Sequence, residues 1–292
     1  MVRGRFGVDA VTRSGFPGGA AASAELTGWV LVEAEPVRAL GKAMAWARQQ
    51  GLTELHVLVE EEAGALARRA ALFDGGPTVW WLHGNELHAV EPEPLEPPPP
   101  ASAAPGLVAL FDEVGLDPVP EHGHIAGELR GLEVARVTGD RLEVGVGDAD
   151  RELTAMLHGD LAPDDALRRV VTIVQEHRRP GAPRHPLNQL VPERWLRWTL
   201  PNVVPVPSPR PRVGLRERDI ACGLRHGAVV VCSVGVDLDV VPAAAEARAA
   251  IGPELPLVLV VPERDDHPVT RALAARLREP AEIETVSGDW RR

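Results

Sequence analysis

Tyrosine is absent from this 292-residue chain, lysine occurs once and cysteine twice. The one lysine, Lys42, falls inside the helix-patterned "RALGKAMAW", where no phosphate-cradling loop would run. Lysine chemistry of the Schiff-base or Walker type is therefore disfavoured. Cys222 and Cys232 are too few for a disulfide framework and suit a reducing compartment. No apolar run approaches the roughly 20 residues of a membrane helix. The N-terminal "GVDAVTRSGFPGG" supplies no apolar core for a signal peptide. G-x-S-x-G, G-x-G-x-x-G and paired C-x-x-C are missing as well, so no complete catalytic motif is present. These absences lead to the expectation of a cytoplasmic, non-secreted protein without a membrane partner.

What is present is ordinary for a globular chain: 45% apolar and 25% charged residues. The length suits one large domain or two ordinary ones. Nearly all basic residues are arginine, beside abundant Ala, Gly, Pro and Val, which points to a GC-rich bacterial genome.

Two proline-rich runs, "EPEPLEPPPPASAAPG" (91–106) and "PNVVPVPSPRPR" (201–212), punctuate the chain. Proline lacks the amide donor and fixes φ, so neither run can form a helix interior or a central strand. They divide the sequence into an N-terminal α/β half (1–90), an α+β middle region (107–200) and a C-terminal α/β half (213–292). Each half reads strand–helix–strand–helix–strand, with apolar runs short enough for buried parallel strands. "GWVLVEAE", "ELHVLVE" and "TVWW" are the N-terminal strands; "GAVVVCSV", "LPLVLVV" and "AEIETV" are the C-terminal ones. The expected fold class is α/β, with two βαβαβ-type halves, a pseudo-repeat in outline, forming one mostly parallel sheet. In the middle region "GELRGLEVARV" and "RLEVGVG" flank "TGD" as a β-hairpin. Residues 163–178 form the clearest helix, opened by Pro163 and two aspartates, with Leu167, Val170, Val171 and Val174 on one stripe.

Charge is unevenly laid out. From Arg168 to Arg218 eleven arginines stand against three acids, about +8 in a chain whose net charge is −11. Such asymmetry marks an interaction surface. Its centre is "RHPLNQLVPERWLRW" (184–198), where Arg194, Trp195, Arg197 and Trp198 share one helical stretch. Arginine beside tryptophan can grip phosphates or stack on bases, but the negative net charge opposes encounter with nucleic acid. The segment reads best as a clasp that docks on acidic surface, within the chain, in a self-associated copy or on an acidic protein partner.

Two further groups could carry chemistry. In "EHGHIAGE", His122, His124 and Glu128 have the spacing of a metal site. The His-x-His-x3-Glu spacing resembles the first metal motif of cupins over fewer than ten residues. It departs from that motif after the glutamate, and no second cupin motif follows. Strand ends form the other group, because ligands of open α/β sheets bind beyond them. Asp237, Asp239, Asp265 and Asp266 follow consecutive strands and are expected to line one acidic cleft, able to hold a divalent metal such as Mg²⁺. The sequence thus points to a binding or interaction protein, its ligand another protein or an anionic small molecule. A metal-dependent hydrolase or nuclease acting on phosphoesters is the alternative.

Overall fold

The computed structural model describes residues 2–8, 11–158, 161–181 and 185–291; Arg184, at the head of the Trp/Arg segment, lies outside them. In chain order the N-terminal elements are α1 (Val2–Phe6), β1 (Thr12–Phe16), β2 (Gly19–Ala24), β3 (Thr27–Val32), α2 (Leu40–Gln49), β4 (Glu54–Val59), α3 (Ala63–Ala70), β5 (Thr78–His83) and β6 (Glu86–Ala89). The middle adds α4 (Pro105–Glu113), β7 (Asp117–Pro120), β8 (Ile125–Leu129), β9 (Leu132–Thr138), β10 (Arg141–Val144), α5 (Asp148–His158), α6 (Pro163–His177) and α7 (Pro192–Thr199). Then come β11 (Val204–Pro205), β12 (Ala221–Arg225), β13 (Ala228–Cys232), α8 (Val240–Ile251), β14 (Leu257–Pro262), α9 (Pro268–Ala274) and β15 (Glu282–Val286).

The protein is mixed α/β with three sheets, ordered β1-β2-β3-β4-β5-β6, β10-β9-β8-β7 and β11-β12-β13-β14-β15. This corrects the expectation of one mostly parallel sheet. Parallel pairs include β3 with β4, β4 with β5 and β13 with β14, whereas the middle sheet is antiparallel throughout. Hairpins account for the difference, because each parallel set is extended by an antiparallel neighbour that a tight turn can reach. The strands β1 and β2 escaped the sequence reading. "TRSGF" and "GAAASA" hold no β-branched or aromatic run, and they become strands by pairing beside β3.

Two compact units result: residues 1–96, 236–253 and 266–282 form the first, and 97–235, 254–265 and 283–292 the second. In the first, α2, α3, α8 and α9 pack on one another. Gly41 of α2 is required there, since a Cβ at that position would lie 1.8 Å from the carbonyl oxygen of Leu238. Side chains alternate between faces along β3: Val30 and Val32 are buried on one face, and Trp29 packs with Leu58, Leu82 and Leu87 on the other. Both faces are covered, which is why these strands read as continuous apolar runs.

The second unit holds the other two sheets. Phe111 of α4 and Leu167, Val171 and Val174 of α6 pack on β8, β9 and β10, so the predicted stripe of α6 is core. The β8–β9 turn has Arg130 at φ 48° and Gly131 at φ 75°, the left-handed pair that suits a two-residue hairpin. A side chain at Gly131 would come within 2.4 Å of the Arg194 backbone. Glycine therefore lets α7 lie directly on the hairpin.

Candidate functional site

α7 begins with Pro192 and Glu193, residues suited to a first helical turn. Its N-cap, Val191, is in the left-handed region at φ 40° and ψ 53°, a strained conformation for a β-branched residue. Almost the whole helix is buried. Trp195 is 1% and Arg197 3% exposed, whereas Trp198 is 45% exposed. Trp195 packs with Leu196, Val230 and Trp290, and the Arg178 guanidinium lies 4.5 Å above its ring centroid. Arg178 itself is wholly buried and donates to the carbonyls of Leu129, Arg130, Leu187 and Leu190. Burial pulls its pKa down, to about 9, which leaves it charged at neutral pH.

The arginines of α7 meet buried carboxylates of the same unit. Glu128 bridges them, with Oε1 2.8 Å from Arg194 Nη1 and Oε2 2.6 Å from Arg197 Nη2. Arg194 also pairs with Glu121 at 2.7 Å, and Arg197 donates to the Cys222 carbonyl at 3.3 Å. Burial pushes the Glu121 carboxyl above its usual range despite Arg194. Alternation along a hairpin strand would place its glutamates on the solvent-facing side. A register shift at Gly127/Glu128 overrides the alternation, and Ala126, Gly127, Glu128 and Leu129 are all buried in succession.

Beside this network lies a cleft of about 680 Å³, within the range of small-molecule sites. Its walls carry Arg136, Arg151, Arg194, Arg212 and Arg216 against Glu121, Glu133, Asp148 and Glu217, with His122, His124 and the strained Val191. Arg136 pairs with Glu143 at 2.6 Å, Arg151 with Glu133 and Asp148, and Arg212 with Glu193. Arg216 is exposed. Two nitrogens in these walls, His124 Nε2 and Arg151 Nε, are buried and make no hydrogen bond, although both side chains lie beside the Glu133 carboxylate. Burial would raise the Glu133 carboxyl, but His124 and Arg151 outweigh it and hold it low.

The His-x-His group sits at this cleft, in a bend before β8 rather than on a strand. His122 Nε2 lies 2.9 Å from the Ser208 carbonyl, and His124 Nε2 lies 3.8 Å from Glu133. Glu128, the third member of the sequence triad, is engaged by Arg194 and Arg197. Arg136, Arg151 and Arg212 were not singled out from sequence, because isolated arginines on a polar strand, a helix and a proline-rich run carry no motif.

The four aspartates are divided between the units: Asp265 belongs to the second and the others to the first. Asp265 accepts the Gly235 amide at 2.7 Å. Asp266 pairs with Arg271 at 2.7 Å. Asp237 takes Arg38 at 2.8 Å, and Asp239 takes Arg69 at 3.1 Å. Among the described residues no group of three or more His, Cys, Asp or Glu is placed to hold a metal ion. Asp239 is 5% exposed, and burial pushes its pKa up to about 6 against the pull of Arg69. A carboxyl raised in the folded state stabilises the fold below its unfolded pKa and loses that contribution as pH climbs through the folded value. Between about pH 4 and 6 the wild type should therefore lose up to about 3 kcal/mol from this group, at 1.36 kcal/mol per unit. In urea titrations Asp239→Asn should lack that loss; a variant whose stability tracks the wild type across this window would refute it.

No family model matches the chain, and no curated protein or solved structure is significantly similar to it. Among the described residues no helix is long and apolar enough to cross a membrane.

Proposed function

We propose that the protein acts by binding rather than by catalysis, and that the cleft beside α7 takes an anionic small molecule such as a carboxylate or phosphate. The observation that carries this reading is the cleft wall itself. Five arginines line it against four carboxylates; Arg194 is held by Glu121 and Glu128, while Arg216 is exposed, and fixed guanidinium groups suit anion recognition. The left-handed Val191 supports it, because such strain concentrates at functional sites.

In this reading Arg194 and Arg197 have a different task. Held by Glu121 and Glu128, they clasp α7 onto the hairpin. The exposed Trp198, beside Arg130 and hydrogen-bonded to Asp117, is what the basic segment still offers a protein partner or a second copy.

Citrate or inorganic phosphate should raise the melting temperature, since a ligand at 100 times its Kd adds about 2.7 kcal/mol. Arg216→Glu, an exposed change, should weaken binding at least about tenfold, one 1.4 kcal/mol step. Absence of stabilisation by either anion, or unchanged affinity in Arg216→Glu, would reject the reading. Metal analysis separates it from the hydrolase alternative, which requires a stoichiometric divalent ion. We extend the pseudo-repeat as a proposal too. The order hairpin–helix–strand–helix–strand recurs in β2 to β5 and in β12 to β15, as a duplication would leave it.

A further inference from the structure

The first unit carries a second cavity, on the sheet face where Trp29 packs. It encloses about 880 Å³ and is walled by the rings of Phe6, Trp29 and His56 and by the carboxylates of Glu25 and Glu54. Among the described residues no arginine or lysine lines it. Phe6, from α1, stands 4.7 Å from His56 and 5.4 Å from Trp29, and the Trp29 and His56 rings stack at 5.9 Å.

His56 adds a ring here and no charge. Its Nδ1 accepts the indole N–H of Trp80 at 3.1 Å, so its own proton sits on Nε2, which faces Glu54 Oε1 at 3.3 Å. Burial keeps its pKa below the ordinary value, with Glu54 opposing. With both ring nitrogens engaged it serves as no base. Trp29 is 3% exposed, and its indole N–H has no hydrogen-bond partner.

We infer that this pocket binds an organic cation, a methylated or flat ammonium, between the aromatic wall and the Glu25 and Glu54 carboxylates. Aromatic faces are the negative part of the ring quadrupole, so they attract a cation that presents apolar surface. An anion meets two carboxylates and no counter-charge. A metal ion gains nothing from the rings, which supply no oxygen ligands. The ring cluster already shows this preference, since the Arg5 guanidinium sits 5.4 Å from the centroid of Trp80. Trp80 in turn meets Phe6 edge-on at 5.3 Å.

The test compares choline chloride with 3,3-dimethylbutan-1-ol, its uncharged carbon counterpart, by calorimetry and ligand-observed NMR on the full chain. Choline should bind at least about tenfold more tightly than the alcohol. Phe6→Leu should weaken it about 5–30-fold, the worth of a largely desolvated cation–π contact, and Glu54→Gln about 2–5-fold, the worth of an exposed ion pair. Glu54 is 61% exposed in its side chain, so its replacement leaves the core in place if Phe6→Leu impairs folding. Equal binding of the two probes overturns the inference, as does choline binding that survives Glu54→Gln unchanged. So does the lack of saturable binding at about 10 mM choline, ten times a millimolar Kd.

Discussion

Glu128→Gln should lower the unfolding free energy by about 3–5 kcal/mol, the cost of removing one partner from a buried ion pair. Glu128 is 2% exposed and supplies one oxygen to each α7 arginine. Its loss leaves the two arginines unequally placed. Arg194 keeps Glu121, but Arg197, 3% exposed, keeps only a carbonyl at 3.3 Å. The uncompensated charge at Arg197 should therefore dominate the loss. A double-mutant cycle with Arg197→Met isolates that part, because methionine fills similar space without a charge to desolvate. Recovery of about half the loss in the double variant is expected. Urea midpoints read with the m-value make the measurement. A loss below about 1 kcal/mol, the range of exposed pairs, would mean that solvent reaches the pair.

How far the sequence reading reached follows from how each feature is encoded. The strands β3, β4, β13 and β14 are written in contiguous residues, and so is the stripe of α6; periodicity reveals both. The Trp/Arg segment was singled out by composition, and its clasping geometry follows from α7 lying against the Gly131 turn. Period-two alternation fails at Glu128, because the bulge at Gly127/Glu128 is a pairing irregularity that no local pattern announces. The aspartates at strand ends were visible as a group, while their partners were not. Arg38 and Arg69, the partners of Asp237 and Asp239, stand some 170–200 positions away along the chain, and no single sequence links residues across such a separation. Side-chain capping of the next helix is another use for acids that follow a strand. It does not operate at Glu35, Glu62 or Asp239, which occupy N-cap positions without a side-chain cap bond.

Glu246→Gln tests that distant pairing in the first unit, with an expected loss of about 3–5 kcal/mol on the same physical ground. Glu246 is 1% exposed on α8, an otherwise alanine-rich and valine-rich helix. Its Oε1 takes Arg68 at 2.9 Å, and its Oε2 takes Arg69 at 2.8 Å. Arg69, 4% exposed, would be left with Asp239 and the Val37 carbonyl. A second readout separates this electrostatic account from plain loss of packing. Removing the Glu246 charge takes away a like charge that shares Arg69 with Asp239, so the Asp239 carboxyl should titrate lower than its wild-type value of about 6. The stability that the wild type loses between about pH 4 and 6 through Asp239 should shrink accordingly in Glu246→Gln. Stability profiles of the two proteins would then converge as pH rises through that window. Parallel profiles across it, with an equal loss at every pH, would show that Glu246 acts on α3 through packing and hydrogen bonds and leaves the ionisation of Asp239 untouched.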